Sequence, residues 1–473
     1  MSLQELSNYT ITSKYAKYLP TEQRRETWDE IVDRSLNMHL KKFSYLPIED
    51  LEEIKWAFEK MRNKEVLPSM RSAQFGGEGI ERKNERIYNC CFLHIHNTRT
   101  IEKAFYLLLC GVGCGFGLGK KWVEKFPKVQ KQKIGAHTHI ISDDIEGWAR
   151  STKILLDSYL VGNAFTGKQI NFDYSYIRSK GAPLSHGGVA PGASGLIYAH
   201  QKITELLENL ESSFMRTIDV YDILMHVADA VLSGGIRRAA CIALFDKTDD
   251  LMMNAKTGKW FVDNPQRARS NNTVLLKRDE TTEEDFQYVI QRTQEFGEPG
   301  FAFVDDLDTG LNPCAEIAFL PFHNGTPAVQ MCNLTTINGT KVQTETDLAS
   351  FVKAATIIGT LQASYTDFPY LRGIWSKRTK EDSLLGVGIT GIACNKLLSV
   401  NIREGAEIVN KTNEEYAEKI GINRSARTTV IKPSGTSTLL LGCKGSGIHP
   451  VYAPYYIRRM RISKTEPIYQ LLI

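Results

Sequence analysis

The sequence is short of several things, and each shortage removes a class of protein. Nine cysteines in 473 residues (90, 91, 110, 114, 241, 314, 332, 394 and 443) are too few for a disulfide scaffold. No two Cys-x-x-Cys units occur, so no structural zinc or other metal site is expected. The opening stretch MSLQELSNYTITSKY has no apolar core of the kind an export signal carries, which makes a reducing cytoplasm the expected compartment. The longest uncharged run, Ala104 to Gly119, has 16 residues and is broken by glycines after Cys110, too short to span a bilayer. Basic residues barely exceed acidic ones, 58 against 54, for a formal charge of +4. A dedicated binder of nucleic-acid polymers or of membrane surfaces would carry a larger basic excess. Small anionic ligands need only a few placed cations and stay open. There is no repeat of 20 to 50 residues and no low-complexity tract.

What is present is ordinary globular chain, 42% apolar and 24% charged, long enough for one large domain or two fused ones. Residues 1–65 read as polar helices, with Trp28, Ile31, Val32, Ser35 and Leu36 on one stripe. Residues 66–473 form the second region, where short strands, glycine loops and helices alternate; that texture predicts an α/β fold with a parallel sheet or barrel. Arg86 to Ile95 reads as a strand and Thr100 to Cys110 as a helix. The glycine-rich stretch 111–117 then reads as a loop. It resembles a dinucleotide fingerprint only superficially, because it follows a helix and not a strand. Thr217 to Leu232 is the clearest helix, capped by Thr217 and ended by Gly234-Gly235. Its apolar arc (Ile218, Tyr221, Met225, Ala228 and Leu232, widened by Ile223, Val227 and Val231) fits either plain core or a subunit contact.

The most informative segment is Leu311 to Asn338. Asn324-Gly325 between two apolar runs predicts a two-residue hairpin, in which paired numbers sum to 649. Cys332 would then face Ile317, with Cys314 roughly 11 Å away. Asn312 and Glu316 flank Cys314 at two residues on either side, and in an extended segment all three side chains point the same way. An amide, a thiol and a carboxylate on one face can grip two hydroxyls and abstract a hydrogen between them; a buried cysteine beside a capping Asn and a surface Glu fits the spacing equally well. Of the neighbours Cys90 and Cys91, only one can point into a central site. In Ile431 to Leu440 (IKPSGTSTLL), backbone N–H groups and hydroxyls suggest a phosphate cradle, without the lysine and spacing of a Walker loop. A Ser/Thr-rich helix cap reads much the same.

Taken together, Tyr88-Asn-Cys90, Gly234-Gly-Ile-Arg-Arg-Ala, Asn264-Pro-Gln-Arg267, Asn312-Pro-Cys-Ala-Glu316, Cys332-Asn-Leu and Pro433-Ser-Gly-Thr436 resemble the catalytic (large) subunit of ribonucleotide reductase. They stand in that family's order over about residues 65–460. The wording is most similar to the adenosylcobalamin-dependent (class II) enzymes and their small phage relatives.

The resemblance implies a ten-stranded α/β barrel with a central finger loop, preceded by the helical region 1–65, and a cytoplasmic enzyme of a bacterium or a phage-infected host cell. It implies that Cys314 becomes a transient thiyl radical, Glu316 a base at the ribose 3′-hydroxyl and Asn312 a hydrogen-bond partner of the ribose. Cys90 and Cys332 would supply two electrons and finish as a disulfide, with Cys91 the alternative to Cys90. Ser434, Gly435, Thr436 and Ser437 would hold the substrate phosphates, and Gly111 and Gly113 would lie near the substrate. Loops Gly234–Cys241 and Asp263–Asn272 would couple a deoxynucleotide effector to base choice, through Arg237, Gln266 and Arg267. The substrate would be a ribonucleoside di- or triphosphate, the reductant thioredoxin or glutaredoxin, and the radical source adenosylcobalamin or, alternatively, a separate metal-containing subunit.

The family's monomeric members carry an insertion that replaces a partner subunit. None is evident between Gly111 and Leu232, so a homodimer through the 100–110 and 217–232 helices is expected. Only 37 residues follow Thr436, fewer than in the family, so closing strands and a tail are expected from a second polypeptide or as lost with a split gene, the alternative being an unusually compact reductase that closes its barrel with less. Two rivals are a catalytically impaired nucleotide-binding barrel and another radical enzyme of related barrel type, such as a glycyl-radical lyase.

Overall fold

The first helices form where a side chain can satisfy their free N–H groups. Ser2 with Glu5 and Thr27 with Glu30 make reciprocal capping boxes at α1 (Leu3–Lys14) and α2 (Trp28–Lys42), and α3 (Ile48–Arg62) follows Pro47. The α2 stripe lands as expected: Ile31, Val32 and Ser35 are buried. The computed structural model describes residues 2–132, 134–183, 190–210, 213–232, 240–394 and 396–457.

The second region is built on one eight-stranded curled sheet. Its elements in chain order are β1 (Val66–Leu67), β2 (Cys90–His94), α4 (Thr98–Cys110), β3 (Gly113–Gly117), α5 (Ile145–Tyr159), α6 (Ser194–Glu208), α7 (Thr217–Leu232), β4 (Cys241–Asp246), β5 (Ser270–Lys277), α8 (Glu283–Phe296), β6 (Gly300–Val304), β7 (Val329–Asn338), α9 (Glu345–Ala363), β8 (Leu385–Thr390), α10 (Ile402–Ile420) and α11 (Thr436–Leu440). The strands run in the order β6-β5-β4-β3-β2-β7-β8, and β1 pairs with β7. Neighbours are parallel from β6 to β2 and again from β7 to β8; β2 and β7 meet antiparallel. Two parallel half-sheets are thus joined back to back, and an extended segment at Thr429 bridges to β8 as the start of a further neighbour.

Alternation sorts the strands' side chains onto two faces. Cys91, Leu93, Cys114, Phe116, Cys241, Ala243 and Met331 point outward into the large core formed with the helices. Phe92, Ile242, Leu244, Leu275, Cys332 and Leu334 point inward. The stretch expected as a glycine loop is in fact strand β3, and its inner face is glycine at 113, 115 and 117. The reason is space. A Cβ on Gly115 would lie 2.0 Å from the Leu311 carbonyl, and one on Gly113 3.2 Å from Pro313. The segment between β6 and β7 is laid against this bare lane.

Helices α4 and α7, expected to meet a partner subunit, are instead covered within the chain. α5 packs along α4 and α6 along α7, Thr98 bonds Asp157 across the first pair at 2.7 Å, and Leu196, Ala199, Ile203 and Leu207 join Tyr221, Leu224 and Val227 in one core. Residues 134–183 and 190–208 thus contribute the helices that cover α4 and α7 between Gly111 and Leu232. Every described side chain of α7 is buried except Asp229. Among the described residues no helix is long and apolar enough to cross a membrane.

Candidate active site

The hairpin register is as the turn chemistry demands: His323 pairs Thr326 and Phe322 pairs Pro327 around Asn324 (φ 48°) and Gly325 (φ 71°). Beyond Ala328, which donates to the Pro321 carbonyl at 2.7 Å, the two arms part. Cys332 does not face Ile317. It joins β7 and sits opposite Cys90 on β2, while Gly310–Leu311 pairs with Ala318–Phe319. A ten-residue strand buried along its whole length gains more from pairing inside the sheet than from extending a surface hairpin.

Nor is 312–316 extended. The Asn312 N–H donates to the Ile317 carbonyl (3.2 Å), its Oδ1 accepts from the Ile317 N–H (3.0 Å), and its carbonyl accepts from the Ala315 N–H (2.8 Å). Ala315 takes the left-handed conformation (φ 61°) that this tight loop requires. Asn271 on β5 pins the loop by donating to the Pro313 carbonyl at 2.8 Å. Asn312 is fully buried, Glu316 half-buried, and Cys314 exposed to a cavity of about 420 Å³ whose walls include Trp260, Phe296, Asn271 and the Lys256–Glu298 ion pair.

Asn312 reaches the thiols: its Nδ2 donates to Cys90 Sγ at 3.6 Å. Residues directly opposed in an antiparallel pair have Cα atoms about 4.5–5.5 Å apart, inside the range a disulfide needs; here both cysteines are free thiols. Hydrogen bonds from Cys332 and from Asn312 pull the Cys90 thiol down, and the same bond with Cys90 pushes the Cys332 thiol up. Cys91 faces the opposite side of the sheet, its Sγ 3.5 Å from that of Cys114 in the outer core. Burial, then the charge of Glu316, pushes the Cys314 thiol up to about 12, so it keeps its S–H at neutral pH.

The remaining expected residues divide. Gly113 lies beside Cys90 Sγ and Pro313, whereas Gly111 caps α4 with φ 91° against Arg71 and Phe75. Ser434 and Ser437 are buried, Gly435 and Thr436 exposed, at the start of α11; Ser434 Oγ shares a 2.5 Å hydrogen bond with Thr390 Oγ1. Gln266 (3.1 Å) and Arg267 (2.9 and 2.7 Å) both bind the Asp222 carboxylate on α7, tying the 263–272 loop to that helix. Arg237 lies outside the described residues. Sequence reasoning missed Asp222, Asn271 and Lys432; the last was legible only as the residue two beyond Val430 in an extended stretch.

Two parallel half-sheets joined antiparallel, with a cysteine-bearing loop laid along the inner face, make an eight-stranded half-barrel in place of the expected ten strands, a fold shared with solved ribonucleotide reductases. A solved B12-dependent (class II) ribonucleotide reductase matches 93% of this chain and 74% of its own at 21% identity, with a TM-score of 0.78. The class Id alpha subunit of Actinobacillus ureae matches 95% and 75% at 14% identity, with a TM-score of 0.56. In sequence the chain is 29% identical over 364 residues to a probable adenosylcobalamin-dependent ribonucleoside-triphosphate reductase of Dictyostelium discoideum, covering 71% of this chain and 45% of that one. It is 26% identical to the corresponding reductase of Euglena gracilis, covering 88% and 59%, and 24% identical to that of Lactobacillus leichmannii, covering 97% and 75%. The chain thus spans about half the length of the first two relatives. No family model matches it. In sequence and fold the chain is similar to the large subunits of ribonucleotide reductase, class II among them.

Proposed function

We propose that this chain reduces ribonucleotides to 2′-deoxyribonucleotides by thiyl-radical chemistry. The observation that carries the proposal is the convergence, on one inner face, of the Cys314 thiol, the Glu316 carboxylate, Asn312 and the opposed thiols of Cys90 and Cys332. Cys314 as a thiyl takes the 3′-hydrogen of the ribose, and Glu316 accepts the 3′-hydroxyl proton. The 2′-hydroxyl departs as water, taking a proton from the thiol pair. Cys90 and Cys332 supply two electrons and become a disulfide, and Cys314 returns the hydrogen to C3′. One ribonucleotide and two thiols give one deoxyribonucleotide, water and a disulfide. Ser434 to Ser437 hold the phosphates of a ribonucleoside di- or triphosphate, and the Gln266–Arg267–Asp222 tie passes effector state to the cavity at Cys314.

The names of its relatives, adenosylcobalamin-dependent reductases, support adenosylcobalamin as the cofactor. Cys314 retains its S–H and opens on the cavity, so it would face the cofactor; when bound, that group supplies the one-electron chemistry that removes the Cys314 hydrogen. A dithiol protein of the thioredoxin or glutaredoxin kind would then re-reduce the 90–332 pair. The covering of α4 and α7 by α5 and α6 supports a monomer in place of the expected homodimer.

The test is product formation by the purified chain with a ribonucleotide, adenosylcobalamin and dithiothreitol. Deoxynucleotide should form, and Cys314→Ser should bind nucleotide yet form none, because a hydroxyl O–H is too strong to replace the S–H. Turnover by that variant would remove Cys314 from the mechanism. Product appearing only with a metal-containing radical subunit would replace the cofactor assignment.

A further inference from the structure

Lys432 has no part in the chemistry above, yet the fold makes room for it at the centre of the site. Gly386 and Gly388 lie two apart on β8, facing the same way. A Cβ on Gly386 would lie 3.0 Å from Val430 Cγ1, and one on Gly388 3.0 Å from Lys432 Cβ. Segment 428–432 runs beside β8, held by the Val387 N–H to the Thr428 carbonyl (2.9 Å) and the Val430 N–H to the Val387 carbonyl (3.2 Å). Val430 packs on the inner cluster of Phe92, Leu311 and Cys332. Lys432, two residues on, follows it inward through a lane that only glycine leaves open.

At the end of that lane the Lys432 ammonium is buried without a hydrogen-bond partner among the described residues, and so is Glu316 Oε2. The groups that act on the ammonium are Glu316, Cys90, Cys332 and Cys314, while Arg71 is a second cation acting on Cys90. Burying an unpaired ammonium is costly, and burial pulls this one down to about 8, still largely charged at neutral pH. A charge kept there at such a cost acts on its neighbours.

We propose that Lys432 is a positioning residue of the thiol site: its buried ammonium is the counter-charge to the Glu316 carboxylate beside Cys314, and it sets the reactivity of the Cys314 thiol. The assignment rests on the site reading above but not on turnover, so its test needs none.

Cys314 is exposed, and its alkylation by iodoacetamide can be followed by peptide mass spectrometry in the intact chain. Lys432→Met keeps the stem and removes the charge; at a fixed pH below the thiol's titration, Cys314 alkylation should slow about three- to ten-fold. Lys432→Arg should restore most of the rate. Glu316→Gln, which removes the opposing charge, should raise it. A Lys432→Met chain that melts like the parent and alkylates at the parent's rate overturns the proposal. Should that variant fail to fold, an unchanged rate in Glu316→Gln overturns it equally, because charge in the cavity then does not reach Cys314. A chain that passes these tests but makes no deoxynucleotide keeps Lys432 in its role and loses the reductase reading.

Discussion

At the scale of single residues, the sheet's alternation separates Cys90 from Cys91 more sharply than their adjacency suggests. Cys90 is opposite Cys332, and Cys91 is fully buried against Cys114 on the helix side. After one turnover without reductant, peptide mapping should find a 90–332 link; a 91–332 link would mean that the strand's faces are reversed. A second residue sets a stability trend. Burial raises the Glu85 carboxyl from its ordinary value of 4.5 to about 7, against a hydrogen bond from Tyr106. An acid whose folded pKa is raised contributes stability that is complete below the unfolded pKa and lost as pH rises through the folded one. The melting temperature should therefore fall between about pH 4.5 and pH 7, and Glu85→Gln should flatten that fall. An unchanged slope in the variant would remove Glu85 as its source.

At the scale of elements, the bare inner face of β3 decides where the Cys314 loop can lie. Gly115→Ala would drive a methyl into the Leu311 carbonyl and the Phe92 ring, at 2.0 and 2.7 Å. Backbone cannot yield as a side-chain tip does, so the substitution should cost about 1–3 kcal/mol or more in denaturant unfolding. It should also displace the 312–316 loop and abolish activity in whatever fraction still folds. An active, fully stable Gly115→Ala chain would show that the loop does not depend on this lane. The same elements show where pattern reading stops. Asn324-Gly325 gave the correct turn and register for two pairs, because an Asn-Gly turn is a local device. It could not give the partner of Cys332, because β2 lies more than 200 residues upstream.

At the scale of the whole molecule, the covering of α4 and α7 by α5 and α6 bears on the state of association. With α4 and α7 already covered by α5 and α6, the chain should sediment at its own mass of 53.3 kDa, with or without nucleotide. A dimer that dissociates on mutating α4 or α7 would contradict this. The chain's own sequence determined the α2 stripe, the helices read at Thr100–Cys110 and Thr217–Leu232, and the Asn324-Gly325 turn. Each of these rests on periodicity, capping or side-chain type, which are local properties. Only the tertiary structure decided that the glycine stretch is a strand, that Cys332 belongs opposite Cys90, that 312–316 is a tight loop, and that Lys432 enters the barrel beside two glycines. Those facts depend on which distant segments share a face and how much room one backbone leaves another, and no spacing along a single chain encodes that.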